Sequence, residues 1–263
     1  MADIVEYYNK FNEDKRLNTR HGEVEFTTTM HYIKEYLPHP GCRVADIGAG
    51  TGKYSLSLAG EGYDVTAVEL VKYNLGILKK HLKEELPPSA RLTAYQGNAL
   101  NLKKLPDEEF DLTLLLGPLY HLHSLEDKIK ALSEAVRITK KGGIIMVAYV
   151  MADYALIKHG FMEGHILDSF KNGALSDDYN IISDEEELYD YVRLSDIDVI
   201  NKAVDATRVK IISPDGASDY IRPYINEMSE EEFELFKDYQ IKNSARPEIV
   251  GAGSHTVDIL RKN

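Results

Sequence analysis

Residues Val44-Ala-Asp-Ile-Gly48-Ala-Gly50-Thr-Gly52 form a short apolar run that ends in a glycine turn, and their reading decides the fold. Without a Cβ, Gly48, Gly50 and Gly52 can adopt left-handed dihedrals and let the backbone approach a ligand closely. Lys53 to Ala59 then opens a helix whose first N–H groups face that ligand. The dinucleotide fingerprint wants a small residue where this chain has Lys53, so the turn favours a single nucleoside over a pyrophosphate.

Further motifs follow in order. Asp64-Val-Thr-Ala-Val68 is a second apolar run closed by Glu69, with Leu70 next to it. Arg91 to Tyr95 is a third run and leads into Gly97-Asn98-Ala99. Phe110-Asp-Leu-Thr-Leu-Leu-Leu116-Gly117 is a fourth, and Lys140-Lys-Gly-Gly143 precedes a fifth, Ile144 to Val150. Helical patterns separate these runs, which is the signature of βαβ units and a parallel sheet. Phe26, Met30, Ile33 and Leu37 form one apolar face before Pro38; Leu75, Leu78, Leu82 and Leu86 form another before Pro87-Pro88. Ser124 opens a helix whose face is Leu125, Ile129, Leu132 and Val136.

This succession resembles the class I S-adenosylmethionine-dependent methyltransferases. The resemblance implies an α/β, doubly wound, seven-stranded and mainly parallel sheet in the order 3-2-1-4-5-7-6, with the last strand antiparallel. It implies S-adenosylmethionine as cofactor. Asp46, Gly48, Ala49, Gly50 and Gly52 would form the cofactor loop, and Glu69 would accept the two ribose hydroxyls beside Leu70. Asn98 stands where the family more often has aspartate; its side-chain oxygen would take the adenine amino group, with the Ala99 N–H on a ring nitrogen. Carbonyls around Leu116 and Gly117 would accept the cofactor's ammonium. An N-terminal arginine, Arg16 or Arg20, would pair with its carboxylate.

The stretch Gly117-Pro-Leu-Tyr-His121-Leu-His123 lies where such enzymes meet the acceptor. Methyl transfer from a sulfonium is an in-line displacement that needs an acceptor held, desolvated and deprotonated. An imidazole is suited to take that proton, so His121 is the first candidate base and His123 the second, with Tyr120 as a pocket wall. A role for each histidine in capping the next helix or binding a carbonyl stays open. No metal site is expected, because His-x-His offers two ligands with no third nearby.

The chain of 263 residues suits a single domain. Its expected parts are an N-terminal helical flap over 1–40, a cofactor-binding core over 41–150, an acidic helical lid over 151–200 and the rest of the sheet over 201–263. The formal charge is −12, and residues 151–200 hold 12 acids against Lys158, Lys171 and Arg193. Such a surface repels phosphate backbones, so a nucleic-acid acceptor is disfavoured and a small molecule methylated on oxygen or nitrogen is expected. Asp184-Glu-Glu-Glu187 reads as a helix start after Ser183. One cysteine, Cys42, no leader and no apolar run of ~20 residues point to a cytoplasmic protein without a membrane span. Cys42 also lies at the wrong end of the first strand for carbon-5 pyrimidine methylation, and no Asn-Pro-Pro-Tyr motif follows the fourth. A protein or RNA methyltransferase and a non-enzymatic cofactor-binding protein remain as alternatives.

Overall fold

The computed structural model describes residue 7 and residues 19–182 and 187–263. Helix α1 (Arg20–Tyr36) precedes the sheet. Thr19 caps it, its hydroxyl accepting the Gly22 N–H at 3.3 Å, which satisfies one of the donors a helix start leaves over. Then follow β1 (Arg43–Ile47), α2 (Lys53–Gly60), β2 (Asp64–Glu69), α3 (Lys72–Glu85), β3 (Arg91–Gln96) and β4 (Phe110–Leu115). A 3₁₀ turn, Pro118–His121, leads to α4 (Leu125–Ile138) and β5 (Thr139–Val150).

Short helices α5 (Ala152–Ala155) and α6 (Ile166–Lys171) flank a π-helical stretch, Leu156–Met162; α7 (Leu194–Asn201) and β6 (Ala206–Ile212) follow. The chain closes with α8 (Arg222–Glu227), α9 (Glu230–Asn243) and β7 (His255–Lys262). The Asp184 to Glu186 part of the acidic run lies outside the described residues.

The seven strands run in the order β3-β2-β1-β4-β5-β7-β6. β1 to β5 are mutually parallel, and β7 is antiparallel to both β5 and β6. Successive residues of a strand face opposite sides of the sheet. Thus Val44, Leu112, Leu114 and Met146 join Ile33 and Leu58 beneath α1 and α2. Ala45, Ile47, Leu115 and Val147 join Leu132, Ile197 and Ile200 beneath α4 and α7. Both faces are covered, as a doubly wound sheet requires. Leu132 is fully buried, and truncating such a leucine to alanine typically costs about 2–5 kcal/mol.

One boundary differs from expectation. Lys140 to Gly143 do not precede the fifth strand but lie within it, opposite a register shift between Phe110 and Leu112. Gly143 allows the close approach there: a Cβ would stand 3.0 Å from the Asp111 carbonyl. The Asp111 side chain, bonded to Lys140 Nζ at 2.6 Å and the Arg43 N–H at 2.8 Å, ties the three strands together.

Candidate active site

The site is assembled at the carboxyl ends of β1, β2 and β4, where loops leave the parallel strands. Gly48, Gly50 and Gly52 have φ of +79°, +57° and +97°, so the turn after β1 is left-handed at all three. A Cβ on Gly48 would meet Pro118 Cδ at 2.7 Å, and one on Gly52 would meet Leu78 Cγ at 2.7 Å. The glycines therefore serve packing as well as backbone conformation. The Gly48 and Ala49 N–H groups both donate to the Val68 carbonyl, at 2.8 and 3.1 Å, and this folds the turn over the end of β2.

Glu69 is only 5% exposed and sits against that turn. Its Oε2 accepts the Gly50 N–H at 2.8 Å and its Oε1 accepts the Val71 N–H at 2.7 Å. A carboxylate has about four acceptor positions, and these two backbone donors fix its plane. Asp46, buried in β1, accepts from the Ser55 hydroxyl at 2.6 Å. It thereby locks the first turn of α2 at the far end of the glycine loop. Burial pushes its carboxyl up to about 6, helped by the nearby Glu69 charge and opposed by the Ser55 bond.

After β3, Asn98 turns its Oδ1 to the Leu100 N–H at 2.9 Å. The expected adenine acceptor is thus also the hinge of a local Asx turn. A cavity of about 240 Å³ opens beside it, between Val68, Tyr95, Gly97 and Leu102. The Tyr95 hydroxyl is buried there with no hydrogen-bond partner among the described residues. After β4, Gly117 brings the second loop onto the first: its Cβ position lies 3.3 Å from the Gly48 carbonyl oxygen and 3.7 Å from the Tyr120 hydroxyl.

Of the arginines considered for the cofactor carboxylate, Arg16 lies outside the described residues. Arg20 donates to the carbonyls of Ile225 at 3.0 Å and Met228 at 2.5 Å, pairs with Glu230, and stacks 4.8 Å over the Phe233 ring. It anchors α1 to α8 and α9.

Tyr120, His121 and His123 are neighbours in sequence but point to different tasks. His121 Nδ1 donates to the Leu188 carbonyl at 2.8 Å, and His123 Nε2 donates to that of Glu187 at 3.0 Å. His121 also stacks on Tyr189, with centroids 5.3 Å apart. Burial holds its pKa below the ordinary imidazole range. The Asp190 N–H returns to the Tyr120 carbonyl at 2.8 Å, while its carboxylate takes Lys128 Nζ at 2.6 Å. Both histidines thus stitch residues 187–190 to the turn after β4. Neither lines the large cavity nearby; Tyr120 and Tyr189 do.

That cavity, about 460 Å³, lies between the ends of β4 and β5, the start of β7 and helix α1. Sequence reasoning missed most of its polar lining. Asp215, 2% exposed, accepts from His255 twice, at 2.8 Å from Nδ1 and 3.1 Å from the backbone N–H. Burial raises the Asp215 carboxyl and the His255 contact lowers it. Glu25 on α1 approaches His255 Nδ1 at 3.9 Å. The antiparallel pairing of β7 with β5 sets His255 opposite Val150 and so brings it to this end of the sheet. The one local signal was Pro214-Asp-Gly216, a turn placing an acid just beyond a strand.

The known proteins the chain resembles agree with this geometry. Residues 45–147 match the family model described as methyltransferase domain. Residues 45–147 thus carry a methyltransferase domain, and the chain is similar to the class I S-adenosylmethionine-dependent methyltransferases. The chain is 36% identical over 110 residues to the demethylmenaquinone methyltransferase of Renibacterium salmoninarum, covering 41% of each chain. It is 28% identical over 135 residues to the glycine/sarcosine N-methyltransferase of Aphanothece halophytica, covering 51% of this chain and 49% of that one. The matches therefore span about two fifths to half the length of these relatives. Among solved structures, a SAM-dependent methyltransferase from Methanosarcina mazei shares the fold with a TM-score of 0.59 at 16% identity, over 88% of this chain and 96% of that one.

Proposed function

We propose that this chain transfers a methyl group from S-adenosylmethionine to an oxygen or nitrogen of a small molecule seated in the 460 Å³ cavity. The observation that carries this is the junction at Gly117, where the glycine loop, the end of β4 and the Tyr120 hydroxyl come together. Tyr120 also lines the cavity, so one residue borders both the expected cofactor groove and the acceptor space.

The residues present suit the cofactor. Glu69 would take the ribose hydroxyls, the left-handed glycines would let the backbone pass close to the nucleoside, and the space beside Tyr95 and Gly97 would take the base, with Asn98 and Ala99 at its edge. Leu116 and Gly117 would offer carbonyls to the cofactor's ammonium, and Leu70, 37% exposed, would cover the ribose. When bound, S-adenosylmethionine supplies a methyl carbon made electrophilic by its sulfonium. The protein's share is to align the acceptor, exclude water and accept a proton where the acceptor carries one.

Residues 151 to 200 would act as the lid: Tyr154, Tyr189 and Tyr191 come from this segment and wall the cavity. The lid's acidity favours small neutral or cationic acceptors over polyanions. The relatives named above act, by their names, on small molecules, which supports this choice. No described helix is long and apolar enough to cross a membrane. The test is incubation of the protein with S-adenosylmethionine and pooled metabolites, followed by mass spectrometry. A metabolite gaining one methyl as S-adenosylhomocysteine accumulates supports the proposal; methylation of added tRNA or protein instead would replace it.

A further inference from the structure

Resting on the methyltransferase reading of this site, we propose that the cavity binds its acceptor as an organic ammonium and that His255, oriented by Asp215, takes the proton that frees the amine for methylation.

The described lining contains four carboxylates, Glu25, Glu163, Asp215 and Asp219, against two permanent cations, Lys158 and Arg222. Each cation has an acid within ion-pair reach, Arg222 with Asp219 and Lys158 with Glu163 at 3.8 Å. The other two acids, Glu25 and Asp215, converge on His255 at the inner end. Such a lining attracts a cation and repels an oxyanion, because like charges in a partly desolvated space cost far more than in water. An acceptor that must become an alkoxide or phenolate is opposed here. An amine arrives positive, passes its proton to His255 within the same lining, and is positive again once methylated, so the acids stabilise the charge before and after transfer. Tyrosine rings on several sides add cation–π attraction for an ammonium, and the volume lies within the range of small-molecule sites.

His255 is placed for the proton. With Nδ1–H held by the buried Asp215 carboxylate at 2.8 Å, Nε2 carries the ring's lone pair. The Asp215 carboxylate is itself fixed by the His255 N–H, so the imidazole's orientation is set by two bonds to one group. Tyr120, whose ring centroid lies 6.5 Å from that of His255, connects this point to the Gly117 junction. In the transfer an N–H bond of the ammonium breaks and its proton goes to Nε2. The nitrogen lone pair then forms the bond to the methyl carbon as the carbon–sulfur bond breaks. The electron pair of that bond stays on sulfur, leaving a neutral thioether, and the positive charge ends on the methylated nitrogen. The proton on His255 leaves to water after product departs.

The experiment uses the full chain with S-adenosylhomocysteine bound, titrated by calorimetry with 2-phenylethylamine, tyramine and spermidine and with the neutral analogues 2-phenylethanol and tyrosol. At least one ammonium probe is expected to bind tenfold or more tighter than the alcohols, and Glu25→Gln to weaken that binding about tenfold while S-adenosylhomocysteine affinity holds. With S-adenosylmethionine the bound amine should gain a methyl on nitrogen, and His255→Gln should lower that turnover by roughly 10²–10⁴, the usual worth of a general base. The proposal is overturned if the alcohols bind equally well, if no ammonium probe binds although S-adenosylhomocysteine does, or if bound amines are not methylated. It is also overturned if His255→Gln turns over normally, or if EDTA abolishes probe binding and zinc restores it, since Glu25, Asp215 and His255 lie close enough to share a metal ion. Failure of S-adenosylhomocysteine itself to bind would instead remove the underlying methyltransferase reading.

Discussion

Glu69→Gln isolates the contribution of the carboxylate at the end of β2. In the native chain its two oxygens accept the Gly50 and Val71 N–H groups at 2.8 and 2.7 Å, in a position only 5% exposed. Glutamine keeps the shape but has one acceptor oxygen, and its NH₂ group must face a backbone N–H. One charge-assisted hydrogen bond is lost, and a buried donor is left opposite another. Bonds to charged groups contribute about 1.5–3 kcal/mol each. In a domain of this size that loss lowers Tm by roughly 3–12 °C. If the same carboxylate also takes a ribose diol, the dissociation constant for S-adenosylhomocysteine should rise by roughly 10- to 150-fold, the same energy in affinity terms. Calorimetry at a temperature well below the variant's transition separates the two effects. A lower Tm with S-adenosylhomocysteine affinity unchanged within about twofold would show that Glu69 only braces the glycine loop, and the assignment of the ribose site would be wrong.

Three further outcomes are expected. Asp46 is raised from 3.8 to about 6 in the folded chain, so the folded state holds its proton more tightly than the unfolded one, and this group's contribution to stability falls as pH rises from about 4 through 6. Asp46→Asn, which keeps an acceptor for Ser55, should therefore match the native protein near pH 4 and exceed it by about 2–3 kcal/mol at pH 8; denaturant titrations at the two pH values showing a constant difference would refute this. Gly52→Ala combines a left-handed φ of +97° with a Cβ 2.7 Å from Leu78 Cγ, and should cost about 2–4 kcal/mol in urea unfolding, strain and overpacking together; a neutral substitution would mean the turn can relax. Filter binding of tRNA at physiological salt should be negligible given the formal charge of −12, and tight, salt-sensitive retention would show that the charge pattern was misjudged.

The parts of the site that could be read from sequence are those built from residues close along the chain. The glycine turn, Glu69 and the Gly117 junction each depend on a strand followed at once by its loop, and alternating runs with breakers mark such places. Strand order came from family resemblance, because pairing partners far apart leave no periodic trace. That is why the His255–Asp215 pair was missed: the insertion of β7 between β5 and β6 joins residues forty apart in sequence. Arg20, one of two arginines considered for the cofactor carboxylate, donates through Nη1 and Nη2 to the Ile225 and Met228 carbonyls and to Glu230 at the ends of α8 and α9, contacts no local pattern announces. His121 and His123, read as candidate bases, each donate one ring N–H to the Leu188 and Glu187 carbonyls, a link between distant segments that the sequence does not announce. Lys140 to Gly143 reads as preceding the fifth run, and the pairing of β5 with β4 extends the strand through it.

The central claim is that the glycine turn and Glu69 form a nucleoside site for S-adenosylmethionine and not a dinucleotide site. Titration calorimetry with S-adenosylmethionine, S-adenosylhomocysteine and NAD on the same preparation tests it most directly. The account predicts binding of the first two with dissociation constants on the order of micromolar, about −8 kcal/mol, and no competition from NAD. Binding of NAD with none of S-adenosylmethionine or S-adenosylhomocysteine would contradict it.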